Sequence, residues 1–244
     1  MVQSISKSQK NFLSILAGLV VAVAIAVGFL MLGHAISRPT SDASTTLPAP
    51  ELSEGIRGEQ FGIDKNINEA TLDQYLGRDD VVYRDMRMLI DPGNYAAIGG
   101  DSYLSGYVEG FEIVPSLYLV NVTGLPEAVG DTYTGKTLFT QDKDGNYRAN
   151  YTESLQILKD LFPQDKTIFI MCGGGGYAGM TKQMLTKLGW DADKIYNVGA
   201  YWTYEGEHDV PVKYEQDGKT NYAFWKIPYH QIDFSKLHEL KNNA

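Results

Sequence analysis

Residues 171–180 read MCGGGGYAGM and hold the only cysteine of the chain, Cys172, followed by the consecutive glycines Gly173, Gly174, Gly175 and Gly176. Glycine loses more backbone freedom on ordering than any other residue, so such a run is either slack chain or a place where the backbone itself is the working part. Its surroundings favour the second reading. The apolar KTIFIM (166–171) ahead of it predicts a buried strand, and YAGMTKQMLTKLGW (177–190) behind it spaces Met180, Met184, Leu185 and Leu188 as a helix does, with Gly189 at its C-terminus. A glycine-rich turn between strand and helix lies at the carboxyl edge of an α/β sheet, where N–H groups converge and the helix N-terminus adds partial positive charge. Such a nest suits an anion, or a thiol whose pKa the amides lower so that thiolate forms at neutral pH. A buried, inert cysteine beside a tight turn is the alternative.

Neighbouring chemistries fail on particular residues. A nucleotide-binding P-loop needs Lys and then Ser or Thr after its last glycine, and Tyr177 and Ala178 stand there. A Cys-x5-Arg phosphatase loop places arginine where Ala178 is, so phosphoryl transfer lacks its bidentate clamp. The histidines, His34, His208, His230 and His238, have no HxxxH or HxH spacing, and one cysteine makes neither a disulfide framework nor a multi-cysteine zinc site; no metal and no cofactor are expected. Carboxylate runs such as GRDD and YEGEHD read as solvated loops. A net charge of −9 supplies no basic footprint, which sets nucleic acid aside as a partner.

The elements that must hold the loop alternate in type. NEATLDQYL (68–76) has helical spacing, and DVVYRDMR (80–87) and GFEIVP (110–115) read as strands. TLFTQDKDGNYRANY (137–151), with Asp-Gly at its centre, reads as a hairpin, and YTESLQILKDLFP (151–163) as a helix with apolar residues at 155, 158, 161 and 162. KIYNVGAY (194–201) is a further strand, VPVKYEQDGKTNYAFWKI (210–227) a second hairpin around Asp217-Gly218, and DFSKLHELK (233–241) a closing helix.

Four stretches in this order, VVYRDMR, GYVEGFEIVP, FIMCGGGGYAG and KIYNVGAYW, resemble the motifs of a rhodanese-like domain across most of residues 65–205. The resemblance implies a three-layer α/β fold, a central, mostly parallel sheet with helices on both faces, with 118–150 as an inserted hairpin. It also implies sulfurtransferase activity, in which Cys172 takes sulfane sulfur from a small donor as a persulfide and passes it to a thiol or cyanide. The amides of 173–177 would stabilise that persulfide, with Tyr177, Arg87 and Asp85 at the site; pairing with Asp85 to hold the strand end is the commoner role for such an arginine. The sequence departs from the family in two places: no arginine or lysine stands in the loop, and Tyr107 replaces the histidine of the second motif. A non-catalytic rhodanese-like binding or sensor module is therefore the second expectation.

Ahead of the domain, NFLSILAGLVVAVAIAVGFLMLGHAIS runs uncharged between Lys10 and Arg38 with an apolar core of about 20 residues, the length a helix needs to cross a bilayer. Residues 1–37 read as an N-terminal membrane anchor that meets lipid through 12–36, with a cleaved signal peptide as the other reading. Lysines precede the segment and an acidic body follows it, which orients the N-terminus to the cytoplasm and the domain outside, or secretes the domain if the segment is cleaved. RPTSDASTTLPAPELSEG lacks any apolar period, so 38–60 reads as a linker and 61–244 as the rhodanese-like domain.

Overall fold

The computed structural model describes residues 46–52, 61–91, 102–121 and 135–241. The anchor expected over 1–37 lies outside them, and no helix among the described residues is long and apolar enough to cross a membrane.

Four strands form a parallel sheet in the order β3-β1-β7-β8: β1 Val81–Asp85, β3 Glu112–Ile113, β7 Thr167–Cys172 and β8 Ile195–Ala200. The β-branched and aromatic runs of β1, β7 and β8 suit a sheet covered on both sides, and β8 is buried at every position. Side chains on β7 alternate between two cores. Ile168, Ile170 and Cys172 join Leu117 and Leu119 of α1 (Ser116–Leu119), Leu158 and Leu161 of α2 (Ser154–Leu161), and Tyr177, Ala178, Met184 and Leu185 of α3 (Gly176–Lys187). Phe169 and Met171 face the other way, onto Val81, Tyr83, Tyr196, Val198 and Phe111.

The α/β parallel architecture expected from the sequence is present, but among the described residues the α-helices cover one face only. Instead of a helix over 68–76, a 3-10 turn, Leu72–Tyr75, lies with Ile67 and Leu76 against the second face. Polar side chains here bond the local backbone in place of a helical ladder: Thr71 Oγ1 donates to Asn66 O at 2.8 Å, and Asn68 Nδ2 to Lys65 O at 3.0 Å. Gly77, at φ 74°, then turns the chain away.

The expected hairpins are present. In the first, β5 (Phe139–Gln141) and β6 (Tyr147–Ala149) pair antiparallel, and β4 (Val120–Asn121) adds a parallel edge. In the second, β10 (Lys213–Gln216) and β11 (Lys219–Tyr222) meet at Asp217 and Gly218, both at positive φ, as a two-residue hairpin turn requires. A short ladder joins β2 (Gly106–Val108) to β9 (Asp209–Pro211). The helix expected over 233–241 is replaced by a 3-10 turn, Phe234–Lys236, followed by extended chain. Leu240 N–H donates to Asn150 O at 2.8 Å and Thr152 N–H to His238 O at 2.9 Å, so pairing with another segment has displaced the local helix.

Of the segment read as a linker, residues 46–52 are described and lie against the domain. Leu52 bridges Asp64, the Glu51 N–H donates to Asp64 Oδ2 at 2.6 Å, and the Tyr196 hydroxyl donates to Pro48 O at 2.5 Å.

Candidate functional site around Cys172

Cys172 ends β7, and the sheet changes step beside it. Ile170 pairs Asn197 whereas Cys172 pairs Ala200, so β8 carries one extra residue there. Gly199, within the bulge, has φ 90°. A bulge bends a strand end and re-aims its side chain; this one releases the chain into the glycine turn. The turn enters α3 through Gly175, whose φ of 91° no side-chain-bearing residue adopts without strain. Its N–H then points back at the thiol, Gly175 N to Cys172 Sγ being 3.0 Å.

The remaining glycines permit close approach. A Cβ on Gly173 would stand 2.4 Å from the Trp202 ring, one on Gly175 2.9 Å from Ile63, and one on Gly179 2.2 Å from the Phe61 carbonyl. Trp202 N–H also donates to Gly173 O at 3.1 Å, so this tryptophan is held to the loop by backbone and ring together. Asn197, fully buried, locks the helix entry by donating to Phe61 O at 2.7 Å and Gly175 O at 3.0 Å.

The thiol is 2 % exposed. Burial pushes its pKa up, as does the nearby Asp85 carboxylate, while the amides of Ala178, Gly175 and Gly174 pull it down. The net direction is upward, which corrects the expectation of a thiolate at neutral pH. The amides converge as the glycine run predicts, but loss of water around the sulfur outweighs them.

Each expected partner has a definite place. Asp85, wholly buried at the end of β1, receives Arg87 Nε on Oδ1 and Oδ2, both at 3.0 Å, and Arg87 Nη2 at 2.5 Å. The same Nη2 donates to Gly106 O at 2.8 Å, and the guanidinium carbon sits 3.9 Å from the Tyr201 ring centroid. Arg87 thus ties the strand end to β2 and stacks on an aromatic face, the structural role that its spacing from Asp85 indicated. Tyr177, at the start of α3, is buried and donates its hydroxyl to Asp91 Oδ2 at 3.3 Å. Tyr107 lies apart from the loop: it packs with Leu104 and Val212 and donates to Lys226 O at 3.2 Å.

Beside the loop is a cleft lined by Arg87, Met88, Asp91, Tyr103, Leu104 and Trp202, among others; it reaches Trp202 but not Cys172. Its free volume is about 10 Å³, about that of one water molecule. Asp91 is a site residue that the sequence does not single out, and Trp202 reads from sequence only as a pocket wall or a core residue. Trp202 closes the KIYNVGAYW motif, which placed it beside the loop but not upon it. Asp91 carried no local signal, because only the fold brings it to Tyr177. Among the described residues no group of three or more His, Cys, Asp or Glu side chains is placed to hold a metal ion.

Comparison with family models, with curated proteins and with solved structures finds no match to this chain.

Proposed function

We propose that the domain is a rhodanese-like sulfurtransferase in which Cys172 carries sulfane sulfur, tethered by residues 12–36 on the extracytoplasmic side of a membrane. The observation that carries this reading is the thiol at the end of a central parallel strand, with Gly175 N–H 3.0 Å from Sγ and a 12-residue helix starting at Gly176. A sulfur added to Sγ brings negative charge beside those amides, which a helix N-terminus stabilises.

Because the resting thiol is protonated, the balanced step uses an ionised persulfide donor, RSS⁻. The donor's terminal sulfur first takes the Cys172 proton, giving the Cys172 thiolate and RSSH; the thiolate attacks the outer sulfur, a new S–S bond forms and the RS–S bond breaks. The departing RS⁻ takes the persulfide proton, leaving an ionised Cys172 persulfide and RSH. Transfer to an acceptor thiol reverses the sense, and cyanide leaves as thiocyanate.

A second reading, a binding or sensor module without turnover, is favoured by one feature. The cationic side chain lining the cleft, Arg87, is engaged by Asp85, so nothing there answers a dianionic donor such as thiosulfate.

Exposure of the full-length chain to a persulfide donor, followed by mass spectrometry, is expected to add one sulfur atom to Cys172 and to yield cyanide-labile sulfur. Cys172→Ser is expected to abolish both. An unmodified wild-type chain, or equal labile sulfur in the variant, rules the carrier out.

A further inference from the structure

Gly175 directs its two polar groups to different partners. Its N–H faces Cys172 Sγ at 3.0 Å, and its carbonyl accepts the Gly179 N–H at 3.0 Å, the first bond of α3. Only the φ and ψ of this one glycine lie between the two groups. A glycine takes negative φ as readily as the 91° found here, so the residue itself does not keep its N–H on the sulfur. Asn197 supplies a hold from outside. Its Nδ2 donates to the Gly175 carbonyl at 3.0 Å and to Phe61 O at 2.7 Å, while its Oδ1 accepts the Gly199 N–H at 3.1 Å. Two carbonyls and one N–H around the side-chain amide fix which end is nitrogen. The residue has little room to shift: it is wholly buried, its backbone pairs Ile170 of β7, and its own carbonyl accepts the Asp64 N–H at 2.8 Å. A side chain fixed to the sheet thus reaches the turn residue whose conformation has the least local preference.

We infer that Asn197 is a positioning residue for sulfur transfer at Cys172: by pinning the Gly175 carbonyl it keeps the Gly175 N–H on Sγ, beside which a persulfide carries its negative charge. It acts through Gly175 and not on the reacting sulfurs. Its part in transfer rests on the carrier reading proposed above; its hold on the amide does not.

The hold is tested by amide hydrogen exchange, read residue by residue by NMR on the full-length chain in detergent. In the wild type the Gly175 N–H and the Asn197 side-chain amide are both expected to be protected. An Asn197 amide that exchanges as an exposed one does overturns the inference without any variant. Two variants withdraw the donor: Asn197→Leu, of similar volume, and Asn197→Ser, which leaves room for water where the amide was. In each, the Gly175 N–H is expected to exchange about tenfold faster or more, the worth of a lost buried hydrogen bond, with the Leu185 N–H inside α3 unchanged. Acceleration of both amides together, which is a general loss of stability, or of neither overturns the inference. Loading of Cys172 by a persulfide donor, followed by mass spectrometry, is expected to slow about tenfold in the same variants. Loading at the wild-type rate with Gly175 released overturns the role in transfer. A wild type that takes no sulfur while exchange behaves as expected upholds the hold on the amide and overturns the carrier reading.

Discussion

At the residue scale, Cys172 sits between opposing influences, amides that favour its charged form and burial that disfavours it, and burial is the larger. The folded chain therefore keeps a proton that the unfolded chain, with an ordinary thiol pKa of about 8.5, gives up sooner. Stability is unaffected by this group below about pH 8.5 and falls as pH rises through the higher folded value. Urea unfolding across pH is expected to show that fall in the wild-type chain. In Cys172→Ala it is expected only from about pH 10, where tyrosines such as Tyr83, pushed up to about 12 by burial, begin to contribute. The tryptophan on the loop gives a second test. Trp202→Ala is expected to speed iodoacetamide alkylation of Cys172 about tenfold or more at neutral pH, since opening such a cover removes a local barrier of order 1 kcal/mol or greater. An unchanged rate would mean that the thiol is shielded from elsewhere.

At the scale of elements, the strand–loop–helix unit works because its glycines are not equivalent. Gly175 combines φ 91° with Ile63 2.9 Å from any added Cβ, whereas a Cβ on Gly174 meets Trp202 at 3.3 Å and one on Gly176 meets Phe61 at 3.4 Å. Gly175→Ala is expected to cost about 2–3 kcal/mol, from strain and overpacking together. Gly174→Ala is expected to cost under about 1 kcal/mol. Denaturant midpoints of the two variants rank them, and an equal cost would show that the left-handed entry into α3 is not what constrains the loop.

At the scale of the whole molecule, the segment after β11 straps the sheet edge to the region of the β5–β6 hairpin. His230 N–H donates to Ile113 O at 2.9 Å, and Phe234 lies 5.6 Å from the Tyr151 ring and 6.1 Å from the Tyr118 ring. Farther on, His238 Nδ1 meets Glu153 Oε1 at 2.5 Å, and Lys136 pairs with Glu239 at 2.9 Å. These polar contacts lie at the surface and contribute little each, so the aromatic cluster is the main anchor. Phe234→Ala is expected to cost about 1–3 kcal/mol in thermal or urea unfolding. Neutralising Lys136, exposed beside Glu239, is expected to leave the unfolding midpoint nearly unchanged.

Much of this arrangement is legible in the chain itself. The continuous apolar run of β7, the helical spacing of α2 and α3, and the Asp-Gly pairs of both hairpins are local signals, because backbone preference and burial pattern act over a few residues. The glycine run likewise announced a backbone nest, and the Asp85–Arg87 spacing announced its ion pair. Tertiary structure alone decided that 68–76 and 233–241 are not α-helices, since distant partners and capping side chains outbid a weak periodic pattern. It alone placed Trp202 over the loop and Asp91 at Tyr177, residues separated from their partners by tens of positions. It also set the protonation of Cys172, because desolvation depends on everything packed around the sulfur and has no trace in the neighbouring sequence.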